Sequence, residues 1–341
     1  MPSTAMDSSI FHQSQPSSQR NPVLSDKLSL RMGQALLGLA LATWLLMGLG
    51  SATRVMNAGL SCPDWPLCYG AIVPSQQMNL QVFLEWFHRM VASGVGLATL
   101  VLMGFAWLKR QALPTWLPWG LSWAFVLVLT QGILGGLTVT ELLRFDIVTA
   151  HLGTGLLFFA TLLTLGLLIW TRAGSKDSIL PLRLGEGPFS VSYLPWLGLG
   201  AVLLVYVQSL LGALVASQWA LHQCFAAGEL CWVMNSHLLG VAPATLGVLA
   251  VAVATGLRRK RIPRLLKFLG HGSVGLLLAQ VGIGVLTYHY RLQVEPLTVA
   301  HQMMGAALLA CLLGFTVLAW RMRTQGEEGQ WMAMTAEMTG E

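Results

Sequence analysis

Eight nearly uncharged stretches punctuate the chain, near residues 32–52, 87–108, 117–139, 148–170, 194–216, 236–257, 265–287 and 299–320. Each is about 20 residues long, the length an α-helix needs to cross a hydrocarbon core. The strands of a membrane barrel would instead appear as alternating segments of about 10 residues. The pattern therefore predicts an all-α integral membrane protein with eight transmembrane helices.

Composition agrees: of 341 residues 55% are hydrophobic and 10% charged. The formal charge of +6 does not point to nucleic acid, because the basic residues do not cluster with aromatics on one face. They punctuate the apolar runs instead. Lys27 and Arg31, Lys109 and Arg110, Arg172, Lys176 and Arg183, the basic run from Arg258 to Lys267, and Arg321 and Arg323 all fall on one side. That side is expected to be cytoplasmic, with both termini on it. The opposite side carries Arg54, Arg89, Arg144 and Arg291. Residues 1–30 are polar and rich in Ser and Gln, lack the apolar core of a signal peptide and are poor in Arg for a transit peptide. They are expected to form a disordered cytoplasmic tail in a bacterial plasma membrane protein, with a second tail at 322–341.

The chain repeats itself. Gln131-Gly-Ile-Leu-Gly-Gly matches Gln280-Val-Gly-Ile-Gly at an offset of 149, with an echo at Gln208. His88 and His237 are also 149 apart, and His151 and His301 are 150 apart. Cys62 and Cys68 correspond to Cys224 and Cys231 at offsets of 162 and 163. The expectation is two tandem four-helix bundles, 31–171 and 194–321, joined by a cytoplasmic linker at 172–193. Four helices per half is an even number, so both halves run the same way, related by a pseudo-twofold axis along the membrane normal.

His88, His151, His237 and His301 each open an even-numbered helix near its outer end. An ionisable residue in a span is costly and marks function by default, and here each half supplies two at similar depth. Two imidazoles without a duplicated cysteine or carboxylate suit the axial positions of a haem better than a tetrahedral zinc site. The C-x-x-C-H attachment sequence is absent, so such a haem is non-covalent. His12, His222, His271 and His289 lack repeat mates and read as structural or solvated.

The halves differ in one respect. Glu85 stands three residues before His88, on nearly the same helix face, whereas Met234 takes that place in the second half. Glu85 is either a solvated residue of a helix N-terminus or a desolvated carboxylate fit to accept a proton. Arg89 is placed to hold a haem propionate, to neutralise Glu85 or to snorkel to the interface. Both cysteine pairs fall in outer loops, as disulfide staples or as redox-active thiols. Cys311 reads as a packing residue.

The segments Gly59-Leu-Ser-Cys-Pro-Asp-Trp-Pro-Leu-Cys, Glu85-Trp-Phe-His-Arg, the three glutamine segments and the four histidines together resemble the haem A synthase family, from about Thr53 to His301. The resemblance implies an eight-helix oxidoreductase that converts the C8 methyl group of haem O to the formyl group of haem A, the cofactor of cytochrome oxidase. It implies His88 and His151 as ligands of the substrate haem, His237 and His301 as ligands of haem b, and Glu85 as the catalytic carboxylate. Implied partners are a haem O synthase as substrate donor, the cytochrome oxidase assembly process, an unidentified electron acceptor and membrane lipid, with homo-oligomerisation open and no nucleic acid. A dihaem b electron carrier is the rival; it explains four histidines but not a glutamate in one half.

Overall fold

The computed structural model of the chain describes residues 22–173, 192–217, 232–257 and 262–339. They form eight helices: α1 Pro22–Val55, α2 Leu80–Leu108, α3 Trp116–Thr140, α4 Phe145–Ala173, α5 Leu194–Val215, α6 Trp232–Leu257, α7 Arg264–His289 and α8 Glu295–Thr339. Each contains a stretch long and apolar enough to span a membrane. Apolar segments take this form in lipid because a helix satisfies its backbone N–H and C=O groups internally. No strand occurs among the described residues. Cys224, Cys231, His12 and His222 lie outside them.

Both ends are more helical than expected. Helix α1 begins at Pro22, within the segment read as a tail, and α8 continues to Thr339 through residues read as a second tail. Proline at the first helical position sacrifices no hydrogen bond. Beyond Trp320 the commonest residues are Met and Glu, good helix formers that extend a helix already nucleated.

Helix contacts close two rings, α1–α2–α3–α4 and α5–α6–α7–α8. The rings meet where α1 touches α8 and α4 touches both α5 and α8. Exchanging the first four helices for the last four leaves this contact pattern unchanged. Each ring has its own core, with Leu36, Leu117, Leu121 and Leu162 in the first and Leu194, Val248, Leu312 and Phe315 in the second. Trp44 and Met47 of α1 pack against both, and Trp44 Nε1 donates to the Met303 carbonyl across the junction at 3.1 Å. Leu97, Ile133, Leu246 and Leu278 remain more than half exposed on the outside. Such an exterior would drive association in water but is at home in lipid.

The repeat extends to backbone detail that the sequence did not advertise. Leu142 and Leu143 in the α3–α4 turn have φ of 51° and 60°, and Arg291 and Leu292 in the α7–α8 turn have 51° and 61°. Leu143 N donates to Thr138 O at 2.8 Å, and Leu292 N to Thr287 O at 2.9 Å. A left-handed conformation costs a residue with a side chain roughly 1–2 kcal/mol, so these paired turns are held by what surrounds them. They launch α4 and α8, the helices that carry His151 and His301.

Candidate functional site

The four duplicated histidines lie near the starts of α2, α4, α6 and α8. Each ring edge faces a glycine on a neighbouring helix of its own bundle: His88 faces Gly50, His151 faces Gly135, His237 faces Gly212 and His301 faces Gly284. A Cβ at those glycines would lie 2.8, 3.4, 3.1 and 2.8 Å from the imidazole Cε1. Three of the niches are thus too tight for an unadjusted alanine. The glycines keep the repeat offsets, 162 residues for Gly50 and Gly212 and 149 for Gly135 and Gly284.

Four residues before three of these glycines stands a glutamine. Gln131 Nε2 donates to the His151 carbonyl at 2.7 Å. Gln208 Nε2 donates to the His237 carbonyl at 2.8 Å and lies 3.1 Å from His237 Nδ1. Gln280 Nε2 lies 3.3 Å from His301 Nε2. The glutamine repeat visible in the sequence is therefore a set of brackets that fix the histidines. Leu46 is the α1 counterpart, so His88 alone has no such bracket.

In the second ring, the His237 and His301 rings lie 6.5 Å apart between centroids, at an interplanar angle of 82°. They border a cavity of about 370 Å³ whose wall also includes Gln208, Gln280, Tyr288 and Arg54. Its volume falls within the roughly 300–1,000 Å³ of small-molecule and cofactor pockets. Two imidazoles bound to opposite sides of one metal, at about 2 Å each, place their centroids roughly 6 Å apart. His301 Nδ1 and the Gln208 and Gln280 Oε1 atoms are buried there without a partner. Among the described residues no group of three His, Cys, Asp or Glu could hold a bare ion. A pair of imidazoles in a roomy apolar cavity fits a haem, which brings its own four equatorial donors.

In the first ring, the Nδ1 atoms of His88 and His151 are buried without partners. Glu85 is only 3% exposed, which rules out the solvated alternative. Its Oε2 accepts from the Cys62 backbone N–H at 2.7 Å, and its Oε1 is ion-paired with Arg89. Of the roles open to Arg89, neutralising Glu85 is the one seen. The same guanidinium donates to the carbonyls of Asp64 and Leu67, each at 2.6 Å, and of Cys62 at 3.2 Å.

The loop between α1 and α2 is thus clasped onto α2. Cys62 and Cys68 form a disulfide and both are buried. Asp64 accepts from Tyr69 N at 2.6 Å and Gly70 N at 2.8 Å. The Gly70 N–H above all, then the Tyr69 N–H and more weakly the Arg89 charge, hold the Asp64 carboxyl below the usual carboxylate range. Trp65 of this loop lies over Gly136, where a Cβ would come within 3.1 Å of the indole. Nothing local in the sequence marks Asp64 or the glycine niches as part of the site. The niches carry one signal, the glycine that closes each glutamine segment, whose role shows only in the imidazole that faces it.

Met234 is buried in the place that Glu85 holds in the first ring, and it lines the second cavity. His271 is exposed, its Nδ1 2.8 Å from the Lys267 carbonyl, and His289 packs edge-on against Tyr290. Cys311 Sγ contacts the Leu269 carbonyl at 3.4 Å, as a packing residue does.

Eight spanning helices in two rings, each ring with two histidines faced by glycines near one end, define a polytopic membrane protein with a duplicated histidine pair. The comparisons with known proteins sharpen this class. A family model described as cytochrome oxidase assembly protein matches residues 34–313. Heme A synthase of Shewanella oneidensis is 31% identical over 299 residues, covering 82% of this chain and 76% of its own. Heme A synthase of Rhizorhabdus wittichii is 28% identical over 336 residues, 80% of this chain and 92% of its own. That of Bacillus licheniformis is 26% identical over 312 residues, 86% of this chain and 99% of its own. The chain belongs to the haem A synthase family of cytochrome oxidase assembly proteins.

Proposed function

We propose that this protein is itself a haem A synthase, which oxidises the C8 methyl group of haem O to a formyl group and so provides haem A for cytochrome oxidase. His88 and His151 hold the substrate haem, and His237 and His301 hold haem b. The observation that carries the assignment of halves is the buried Glu85, a carboxylate beside one histidine pair and replaced by Met234 beside the other. Two similar pairs serve an electron carrier equally well; a carboxylate in one of them serves chemistry.

Conversion of a methyl to a formyl group with oxygen from water releases four electrons and four protons, through successive hydroxylations and loss of water from an aldehyde hydrate. Haem b, where His237 and His301 hold it, would supply one-electron chemistry, and the electrons released from the substrate leave to an external acceptor. The residues of the first ring do the rest. His88 and His151 orient the substrate, and Gly50 and Gly135 let their rings approach. Glu85 either takes a proton from the attacking water or stabilises positive charge developing at the methyl carbon. Its bonds to Cys62 N and Arg89 aim the carboxylate, and the disulfide-stapled loop lids the site. The Lys and Arg bias of the loops supports an orientation with both termini in the cytoplasm and this loop on the oxidising side of a bacterial plasma membrane. Haem O arrives from the enzyme that makes it, a haem O synthase.

Replacing Glu85 by Ala tests the reading. The variant is expected to retain haem b and to accumulate haem O without haem A in extracted pigment. A normal haem A yield from that variant, or two equivalents of haem b and no other haem in the wild type, overturns it.

A further inference from the structure

Arg54 belongs to α1 of the first ring, yet it lines the cavity of the second. One terminal nitrogen donates to Gln302 Oε1 at 3.2 Å, and Gln302 Nε2 in turn donates to the Met47 carbonyl of α1 at 3.4 Å. The Arg54 Nε is buried without a partner. The ion pairs among the described residues join Arg89 to Glu85 and Arg144 to Glu141 and Asp146, none of them to Arg54. A guanidinium is always charged, and a buried donor left unpaired is costly. A cation so placed calls for an anion from inside the cavity.

The repeat shows that this feature belongs to the second site alone. The 162-residue offset that relates Gly50 to Gly212 makes Ala216 the counterpart of Arg54, and the 150-residue offset that relates His151 to His301 makes Leu152 the counterpart of Gln302. One junction carries a cation and an amide, and the related positions carry two apolar side chains. Gln302 directly follows His301, and Arg54, Gln302, His237 and His301 line the same cavity, so the Arg54–Gln302 pair borders the site of the proposed iron ligands. A haem brings two carboxylates on its propionate arms, and arginine matches a carboxylate with two parallel hydrogen bonds.

We propose that Arg54, reaching across from the first ring, binds a propionate of the haem held by His237 and His301 and so ties that cofactor to the junction between the halves. The proposal rests on the haem reading of the second site. If Arg54 serves only to join the rings through Gln302, the carboxylate of the ligand is irrelevant to it.

Haem-depleted full-length protein carrying His88→Ala, which disables the first site, can be titrated with protohaem IX and with its dimethyl ester. The unaltered Arg54 protein is expected to bind the free acid more tightly than the ester by on the order of tenfold or more, the value of a charge-assisted hydrogen bond. Arg54→Met is expected to bind acid and ester alike, at the ester affinity of the Arg54 protein, and Arg54→Lys to restore part of the preference. Should Arg54→Met not fold, the lysine variant and Arg54→Gln carry the same comparison. Equal binding of acid and ester with Arg54 present, or a preference that survives its replacement, overturns the role of Arg54. Failure of either compound to bind in a way that His237→Ala abolishes overturns the haem reading itself.

Discussion

Alanine at the glycine niches gives a graded test of whether the histidines are held for ligation. A Cβ at Gly284 would sit 2.8 Å from His301 Cε1, whereas carbon atoms rest at about 3.5–4.0 Å. The ring or the helix must therefore yield by roughly 0.7 Å, several times the ~0.2 Å tolerance on a metal–ligand distance. Two effects compete in stability. Alanine in a helix interior is favoured over glycine by about 0.8–1 kcal/mol, while overpacking costs typically about 1–3 kcal/mol. At Gly284 the second outweighs the first, and His301 loses its position as well. At Gly135 the corresponding approach to His151 is 3.4 Å, close to ordinary contact, and the helix gain offsets what little strain arises. Gly212, at 3.1 Å from His237, falls between. Haem extracted per polypeptide and the thermal midpoint of the purified protein are the readouts. Gly284→Ala is expected to lose most second-site haem and to melt lower than wild type, with Gly212→Ala intermediate and Gly135→Ala close to unchanged. A full haem complement with an unaltered spectrum in Gly284→Ala, or equal losses in Gly135→Ala and Gly284→Ala, refutes the reasoning.

Other expectations concern the loop between α1 and α2. Because its folded pKa is depressed, chiefly by the Gly70 N–H, Asp64 stabilises the loop above the ordinary carboxylate pKa of about 3.9. That contribution is lost as pH falls through the lower folded value. Amide exchange in residues 61–71 is expected to be flat from neutral pH down to about 5, after correction for its intrinsic pH dependence, and to rise steeply in stronger acid. Asp64→Asn should show the faster exchange already at neutral pH, and equal protection in both proteins would count against the clasp. Removing the disulfide as Cys62→Ser with Cys68→Ser should destabilise this short closed loop by about 2 kcal/mol and lower haem A yield without abolishing it, since the Cys62 backbone N–H that meets Glu85 remains. Complete loss of conversion with the loop still protected would instead favour a redox role for the thiols.

Which parts were legible in the sequence follows from how each is encoded. The glutamine segments, the histidines and the contrast of Glu85 with Met234 could be read because duplication sets a residue beside its counterpart along the chain. The burial of Glu85 could not, since Glu85 occupies an early turn of α2 where water and a covering loop are equally compatible with its helix position. That Arg89 pairs with Glu85 and donates to three carbonyls of a loop more than 20 residues upstream could not be read from its place beside His88.

Eight helices and their division into two related sets of four follow from the linear pattern alone. In lipid a long apolar segment has essentially one way to satisfy its backbone, and a repeat in sequence becomes a repeat in helix order. The same pattern also shows that there are two histidine pairs and that one has a carboxylate for company. Folding in three dimensions sets that His301 meets Gly284, that Asp64 and Arg89 clasp the disulfide loop over Glu85, and that Arg54 enters the cavity of the other ring. Those are contacts between segments distant along the chain. They depend on how far each helix is rotated and shifted against its neighbours, which side-chain packing sets and local pattern does not record.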